Sequence, residues 1–471
     1  MMRTTHGPML SLLVAIATWV SAATPAASQG DPTAVSLVIR AGTVVTMDAD
    51  RHVLSPGAVA IGGGEIRAVG TPETLAARFP TTFVLDVGSD LLLPGLINTH
   101  GHVPMVLYRG LADDLALMDW LERFIFPAEA RTVTAEFVRA GTRLGVLEMI
   151  RSGTTTFSDM YYFEEESAIV TKEAGLRAVL GQSVIQFPVA DAPTPADALV
   201  RAEAFIRDWR GDPLITPAVA PHSMYTLDAA TLTAARDLAR RHDVPVMIHL
   251  AETQAEVALS RQRHGASPTQ YLNTLEFLGP NVLAAHAVWL DDDDVAILAA
   301  RGVAVSHNPE SNMKLASGIA PVPKLRAAGV VVGLGTDGAA SNNDLDMFDA
   351  MRQAALLHKV ASGDPRTLPA GEALAMATIE GARALGMEAR VGSIEVGKQA
   401  DLISVGIDDA RHTPMYDPVS HLVYVTHGSD VRTTIVAGRV LMLDRRVQTL
   451  DEEAVRAEGR RWAARVRDAV R

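Results

Sequence analysis

Between residues 94 and 389 the chain alternates short apolar runs with helix-periodic segments, and this alternation restricts the fold more than any other feature. The runs are Leu96–His100, Thr154–Asp159, Arg177–Gly181, Ile215–Ala220, Pro245–His249, Val282–His286, Val303–His307 and Val330–Gly335. Their length and apolar content fit buried strands. Helical patterns lie between most of them. Thr134 to Arg151 is one, with Gly153 just past its end as a stop signal, and Ala229 to His242 is another. Strands separated by helices pair in parallel, because the helix carries the chain back to the same edge of the sheet. Eight such units predict a closed (β/α)8 barrel of the TIM type, with an open doubly wound sheet as the alternative. No GxGxxG follows a strand, which weakens any dinucleotide-binding version. GGGE at 62–65 reads as a turn between short strands, and the aspartates at 291–294 read as a solvated helix start.

The two ends of the chain have a different character. Residues 34–93 and 390–450 are rich in short Val/Ile segments punctuated by glycine, such as GAVAIGGGEIRAVG and VRTTIVAGRVLML. They predict one small β-sandwich built from both ends, with the barrel at 94–389 inserted in it and an amphipathic C-terminal helix over 451–471. Residues 1–28 have the form of a signal peptide: Arg3, the apolar stretch Met9 to Val20, then small residues from Ser21 to Ser28. The apolar stretch is shorter than the roughly 20 residues of a membrane span. Export to a periplasm or out of the cell is the expectation, and an uncleaved anchor or an ordinary N-terminal helix is the alternative. Lys and Arg number 42 against 55 Asp and Glu, a net charge of −13, which argues against nucleic acid or an anionic membrane as partner and leaves a small molecule. A homo-oligomer stays open. There is no cysteine, so a metal must be held by His, Asp or Glu.

Chemistry in a barrel of this kind sits at the C-terminal ends of the strands. The first strand ends at His100 and His102, which share a face because strand side chains alternate. The fourth ends at His222, the fifth at His249 with Glu252 three residues on, the sixth at His286, the seventh at His307 and the eighth at Asp337. His100, His102, His249 and Asp337 form a nitrogen/oxygen donor set suited to zinc or ferrous iron with a position open for water. Asp337 is the candidate general base. Glu252 is the candidate acid, with a surface carboxylate as the alternative. His286 orients the attacking water or serves a second metal. The fourth strand has no Lys or Glu to bridge two ions, which favours one metal.

PGLINTHGH, GLADDLALMDWLERFIFPAEA, APHSMYT, MIHLAET, AHAVWL, SHNPESNMKLASGIAPV, GTDGAASNNDLDMF and GSIEVGKQADL together resemble the amidohydrolase superfamily. Within it they look most like the 5′-methylthioadenosine/S-adenosylhomocysteine deaminases, relatives of the chlorohydrolase-type triazine hydrolases. The resemblance implies that His100, His102, His249 and Asp337 bind the metal, that Glu129 binds ribose hydroxyls, and that His222 and Glu252 touch substrate, Glu252 also as proton donor. It places Trp120 in a loop over the pocket, either as an apolar wall or as a packing residue, and Ser306 to Asn312 at the pocket floor, with His307 there more structural than catalytic. The implied reaction is hydrolytic deamination of an adenine ring by an activated water, with zinc the metal most in keeping. Hydrolysis of another N-heteroaromatic ring (triazine, pterin or guanine type), or of a cyclic or linear amide, is the alternative, and an exported metal- or ligand-binding protein without turnover is a third. The segment GQSVIQFP after the third strand has no arginine to hold a homocysteine carboxylate, so smaller adenosine derivatives fit equally well.

Overall fold

A computed structural model describes Met1, residues 34–80 and residues 82–470. The signal-peptide segment therefore lies outside the described residues. Eight strands form one parallel sheet: β1 (Leu96–Asn98), β2 (Thr154–Tyr161), β3 (Arg177–Val184), β4 (Ile215–Pro221), β5 (Val246–Leu250), β6 (Val282–His286), β7 (Ala304–His307) and β8 (Val332–Leu334). Each strand pairs with its sequence neighbours. The ring closes where the backbone N–H of Thr99 donates to the carbonyl of Leu334, 2.9 Å away. Sequential order and closure identify the (β/α)8 barrel and exclude the doubly wound alternative. All eight residues of β2 and all eight of β3 are buried, as expected of strands covered on both faces.

The first strand is shorter than its apolar run. It leaves the ladder after Asn98, whose amide donates to Thr336 Oγ1 (2.7 Å) and accepts from the Thr336 N–H (3.1 Å). Those bonds fasten β1 to the loop after β8, so the departing chain carries His100 and His102 toward Asp337. The helix Ala135–Ser152 starts at Thr134, whose hydroxyl accepts from the Phe137 N–H at 3.2 Å. It stops at Gly153 with φ +88°, where a Cβ would lie 2.9 Å from Ile403 Cδ1. Asp291 caps the helix Asp292–Arg301 reciprocally with Asp294, so that aspartate run is a helix start.

Strands from both chain ends share a seven-stranded sheet, in which Leu402–Val405 runs antiparallel to Leu91–Pro94 with Leu402 opposite Pro94. A four-stranded sheet built from residues 37–86 packs on it through a common core that includes Ile39, Ile61, Leu92, Leu402 and Ile435. Barrel and terminal sheets are joined by a buried ion pair. Arg177, at the start of β3, donates to both Asp401 oxygens at 2.9 and 3.2 Å and to the Pro213 carbonyl at 2.7 Å. Asp401, the acid of the KQADL segment, also accepts from the Ala437 N–H at 2.7 Å. The C-terminal helix Glu452–Val470 lays Trp462 edge-on to Phe137, ring centres 5.4 Å apart. Among the described residues no helix is long and apolar enough to cross a membrane.

Candidate metal centre and cleft

At the C-terminal mouth of the barrel the ring nitrogens of His100, His102 and His249 lie close enough together to share one ion, and Asp337 adjoins two of them. His100 Nε2 and His102 Nε2 each lie 3.4 Å from Asp337 Oδ1, and His249 Nε2 lies 3.3 Å from His102 Nε2. Donors about 2.1 Å from a shared tetrahedral ion stand about 3.4 Å from one another, so the spacing fits a first-row divalent metal. The chemistry of the donors fits too. The Nδ1–H of His102 donates to the Met160 carbonyl at 2.7 Å and that of His249 to the His222 carbonyl at 2.9 Å, which leaves each Nε2 as a free lone pair. Burial pushes the His100 imidazole down to about 4 and holds His249 well below its ordinary range, so both are neutral ligands at pH 7. His100 Nε2 is buried and has no hydrogen-bond partner, a costly state that a metal bond relieves. Burial pushes the Asp337 carboxyl up, but His100, His102 and His286 around it hold it well below the usual carboxylate range.

Beside these donors sits a second group. His286 Nε2 lies 3.7 Å from Glu252 Oε2 and 4.0 Å from Asp337 Oδ2. Its Nδ1–H donates to Asn312 Oδ1 at 2.8 Å, which sets the ring's orientation. Burial alone lowers the His286 imidazole, yet the facing Glu252 and Asp337 carboxylates raise it overall. Glu252 is 4% exposed, so it is no surface loop carboxylate. Burial raises its pKa, favouring a proton on a group positioned to deliver one. Both His286 (φ +74°) and Asp337 (φ +66°) hold left-handed backbone conformations, which cost non-glycine residues energy and gather at functional sites.

His102, His249, His286 and Asp337 all line a cleft of about 640 Å³ including its mouth. Trp120 lines this cleft beside Leu117 and Leu121 while being only 6% exposed, so it is wall and packing residue at once. Its indole N–H is buried without a partner. His222 lines the cleft next to His249, ring centres 4.7 Å apart, and burial pushes it down to about 3. Glu129 also lines the cleft, held by the Tyr161 hydroxyl, which donates to its Oε1 at 2.7 Å.

One expectation needs correction. Residues 306–312 do not line the cleft. They brace it from behind: Ser311 Oγ donates to Asp337 Oδ2 at 2.7 Å and Asn312 orients His286, while His307 turns away to a buried contact with His358, 3.1 Å between Nε2 atoms. Pro309–Lys314 forms a helix directly after β7, and it is this helix that carries Ser311 and Asn312. Several supporting residues carried no signal of their own. Ser341 Oγ donates to Asp337 Oδ2 at 2.9 Å, and Ser317 Oγ to Glu252 Oε1 at 3.1 Å. Glu256 accepts from the N–H groups of Ala251 (3.0 Å) and Glu252 (2.8 Å), fixing the loop that aims Glu252. Only the position of Glu256 in the first turn of the helix Gln254–His264 would have hinted at it.

Residues 91–441 match the model of the amidohydrolase family, and residues 57–81 match an imidazolonepropionase-like composite domain. The chain is 51% identical, over 89% of its length and 95% of the relative's, to a 5-methylthioadenosine/S-adenosylhomocysteine deaminase of Syntrophobacter fumaroxidans. It is 47% identical, over 91% of its length and 97% of the relative's, to a 5′-deoxyadenosine deaminase of Methanosarcina barkeri. Among solved structures it resembles an adenosine deaminase from Xanthomonas campestris with bound zinc, with a TM-score of 0.90, 41% identity and coverage of 92% of this chain and 99% of that one.

Proposed function

The chain belongs to the amidohydrolase family, and on that premise we propose that it is a metal-dependent deaminase, with zinc as the metal, that removes the amino group of an adenosine-type substrate and releases ammonia. Relatives named for this reaction support the reading. The observation that carries it is the placement of Glu252 and Asp337 on either side of His286, beside the ring nitrogens of His100, His102 and His249. Hydrolysis of C–N at an aromatic ring needs an acid for the ring nitrogen and a base for the water, and this arrangement offers both in one cleft.

A divalent ion on His100, His102, His249 and Asp337 supplies Lewis acidity, which lowers the pKa of water from about 15.7 to about 7. His286, fixed by Asn312, hydrogen-bonds the attacking water and orients it. Asp337, held at Oδ2 by two serine hydroxyls, accepts a proton from that water. Glu252 gives its proton to the ring nitrogen beside the amino-bearing carbon, so no negative charge builds up on the ring. A C–O bond forms at that carbon, the C–N bond breaks as Asp337 returns its proton to the amine, which leaves as ammonia, and the proton remaining on the new hydroxyl passes to Glu252 as the carbonyl forms, restoring the acid. His222 contacts the base, Trp120 and Leu121 wall it from water, and Glu129 accepts from the ribose hydroxyls.

The test is ammonia release from adenosine and methylthioadenosine by the metal-loaded protein, before and after chelation, for the wild type and Glu252→Gln. The variant loses at least about a hundredfold in kcat, the usual contribution of a placed general acid. Full activity in Glu252→Gln, or undiminished activity after complete metal removal, refutes the reading.

A further inference from the structure

A second cavity opens beside the first and shares Phe126, Glu129 and Tyr162 with it. Its other wall is the segment after β3, Phe187 to Ala190. This wall is built rather than loose. Phe187 stands edge-on to Phe126 with ring centres 5.1 Å apart, and the Gln186 N–H donates to the Thr226 carbonyl at 3.1 Å. Asp191, at the end of the segment, accepts from the Phe163 N–H and from Gln182 Nε2, both at 2.8 Å.

Among the described residues no lysine or arginine lines either cavity. Cations nearby are already committed. Arg201 pairs with Asp191 (3.4 Å) and Glu165 and lies over the Phe163 ring, while Arg131 donates to the Ala469 carbonyl at 2.9 Å. The one charged side chain among the described residues that line the second cavity is thus the acid Glu129, while the side chain of Asp191, just past its wall, is buried and paired with Arg201. A carboxylate entering it would lose its water, find no lining cation and face the acid Glu129, whereas a short apolar group would gain contact with Phe126, Phe187 and Val189.

We propose that this second cavity receives the 5′ substituent of the nucleoside, and that its cation-free wall selects small uncharged 5′ groups (hydrogen, hydroxyl, methylthio) over a zwitterionic amino-acid tail. The inference rests on the deaminase reading above: with the amino-bearing carbon at the metal cluster and the ribose hydroxyls on Glu129, the 5′ carbon points toward Phe187.

The experiment measures kcat/KM of the zinc-loaded full chain for 5′-deoxyadenosine, adenosine, methylthioadenosine and S-adenosylhomocysteine. S-Adenosylhomocysteine falls about a hundredfold or more below methylthioadenosine. Phe187→Arg, at a partly exposed position that tolerates a long polar side chain, raises the ratio of S-adenosylhomocysteine to methylthioadenosine turnover about tenfold by supplying the missing cation. Equal or better turnover of S-adenosylhomocysteine by the wild type, or an unchanged ratio in the folded Phe187→Arg variant, overturns the inference and leaves the deaminase reading standing. No ammonia from any of the four overturns the deaminase reading and the inference with it.

Discussion

Replacing Glu129 by Gln separates ribose recognition from the chemistry at the ring. Burial pushes the Glu129 carboxyl up to about 7, against the lowering effect of the Tyr161 hydroxyl. Tyr161 itself stays a phenol, since burial and Glu129 push its pKa well above the ordinary value, so it remains a donor throughout. Its bond occupies Oε1 and leaves Oε2 to accept from ribose. Below about pH 7 the free protein carries a neutral carboxylic acid there, and above it a carboxylate. A hydrogen bond to a charged group contributes roughly 1.5–3 kcal/mol, and roughly 2–3 kcal/mol lost corresponds to about a hundredfold in kcat/KM. The expected result is a kcat/KM for adenosine that rises with pH and levels off above about 7, because kcat/KM reports the free protein's ionisations. Glu129→Gln flattens that limb and lowers the plateau about a hundredfold, while 9-methyladenine, which has no ribose, is turned over equally by both proteins. The same carboxyl affects stability with the opposite slope. Its folded pKa, about 7, exceeds its ordinary value of 4.5, so the folded state keeps the proton longer and loses stability from this group as pH rises between those values. An unchanged pH limb in Glu129→Gln, or an equal loss for 9-methyladenine, would refute the assignment of Glu129 to ribose.

Two further outcomes follow from the geometry. Loading the protein with zinc at a free concentration about a thousandfold above Kd stabilises it by about 4 kcal/mol, seen as a higher unfolding midpoint than in the chelated protein; no shift would mean that the buried His100 Nε2 has no metal to meet. Arg177→Met leaves the Asp401 carboxylate buried with its cation gone and costs about 3–5 kcal/mol in denaturant unfolding, whereas a cost below about 1 kcal/mol would show that the pair does not stitch the barrel to the terminal sheets.

Much of the site was legible because two rules act along the chain itself. Alternation of side chains in a strand puts His100 and His102 together, and the rule that barrel chemistry gathers at strand ends selects His249, His286 and Asp337 from an otherwise scattered set. The helix stop at Gly153 and the cap at Asp291 were equally readable, since both depend on local backbone geometry. Strand lengths were less so. The apolar run Leu96–His100 predicts a longer strand than β1, because the bonds of Asn98 to Thr336 that end it join positions far apart in sequence.

From local pattern alone come the eight strand–helix units, the absence of sulfur ligands and the histidines and acids at the strand ends. Tertiary structure alone decided which atoms meet. It turned Ser311 and Ser341 onto one oxygen of Asp337, sent His307 away from the cleft, hung Glu129 on Tyr161, and brought Phe187 against Phe126 to wall a second cavity without a cation. The physical reason is range. Periodicity and capping are set by neighbours within a turn or two of backbone, whereas a hydrogen bond or ring contact between distant residues forms only after the closed barrel has set the spacing and rotation of each strand and loop.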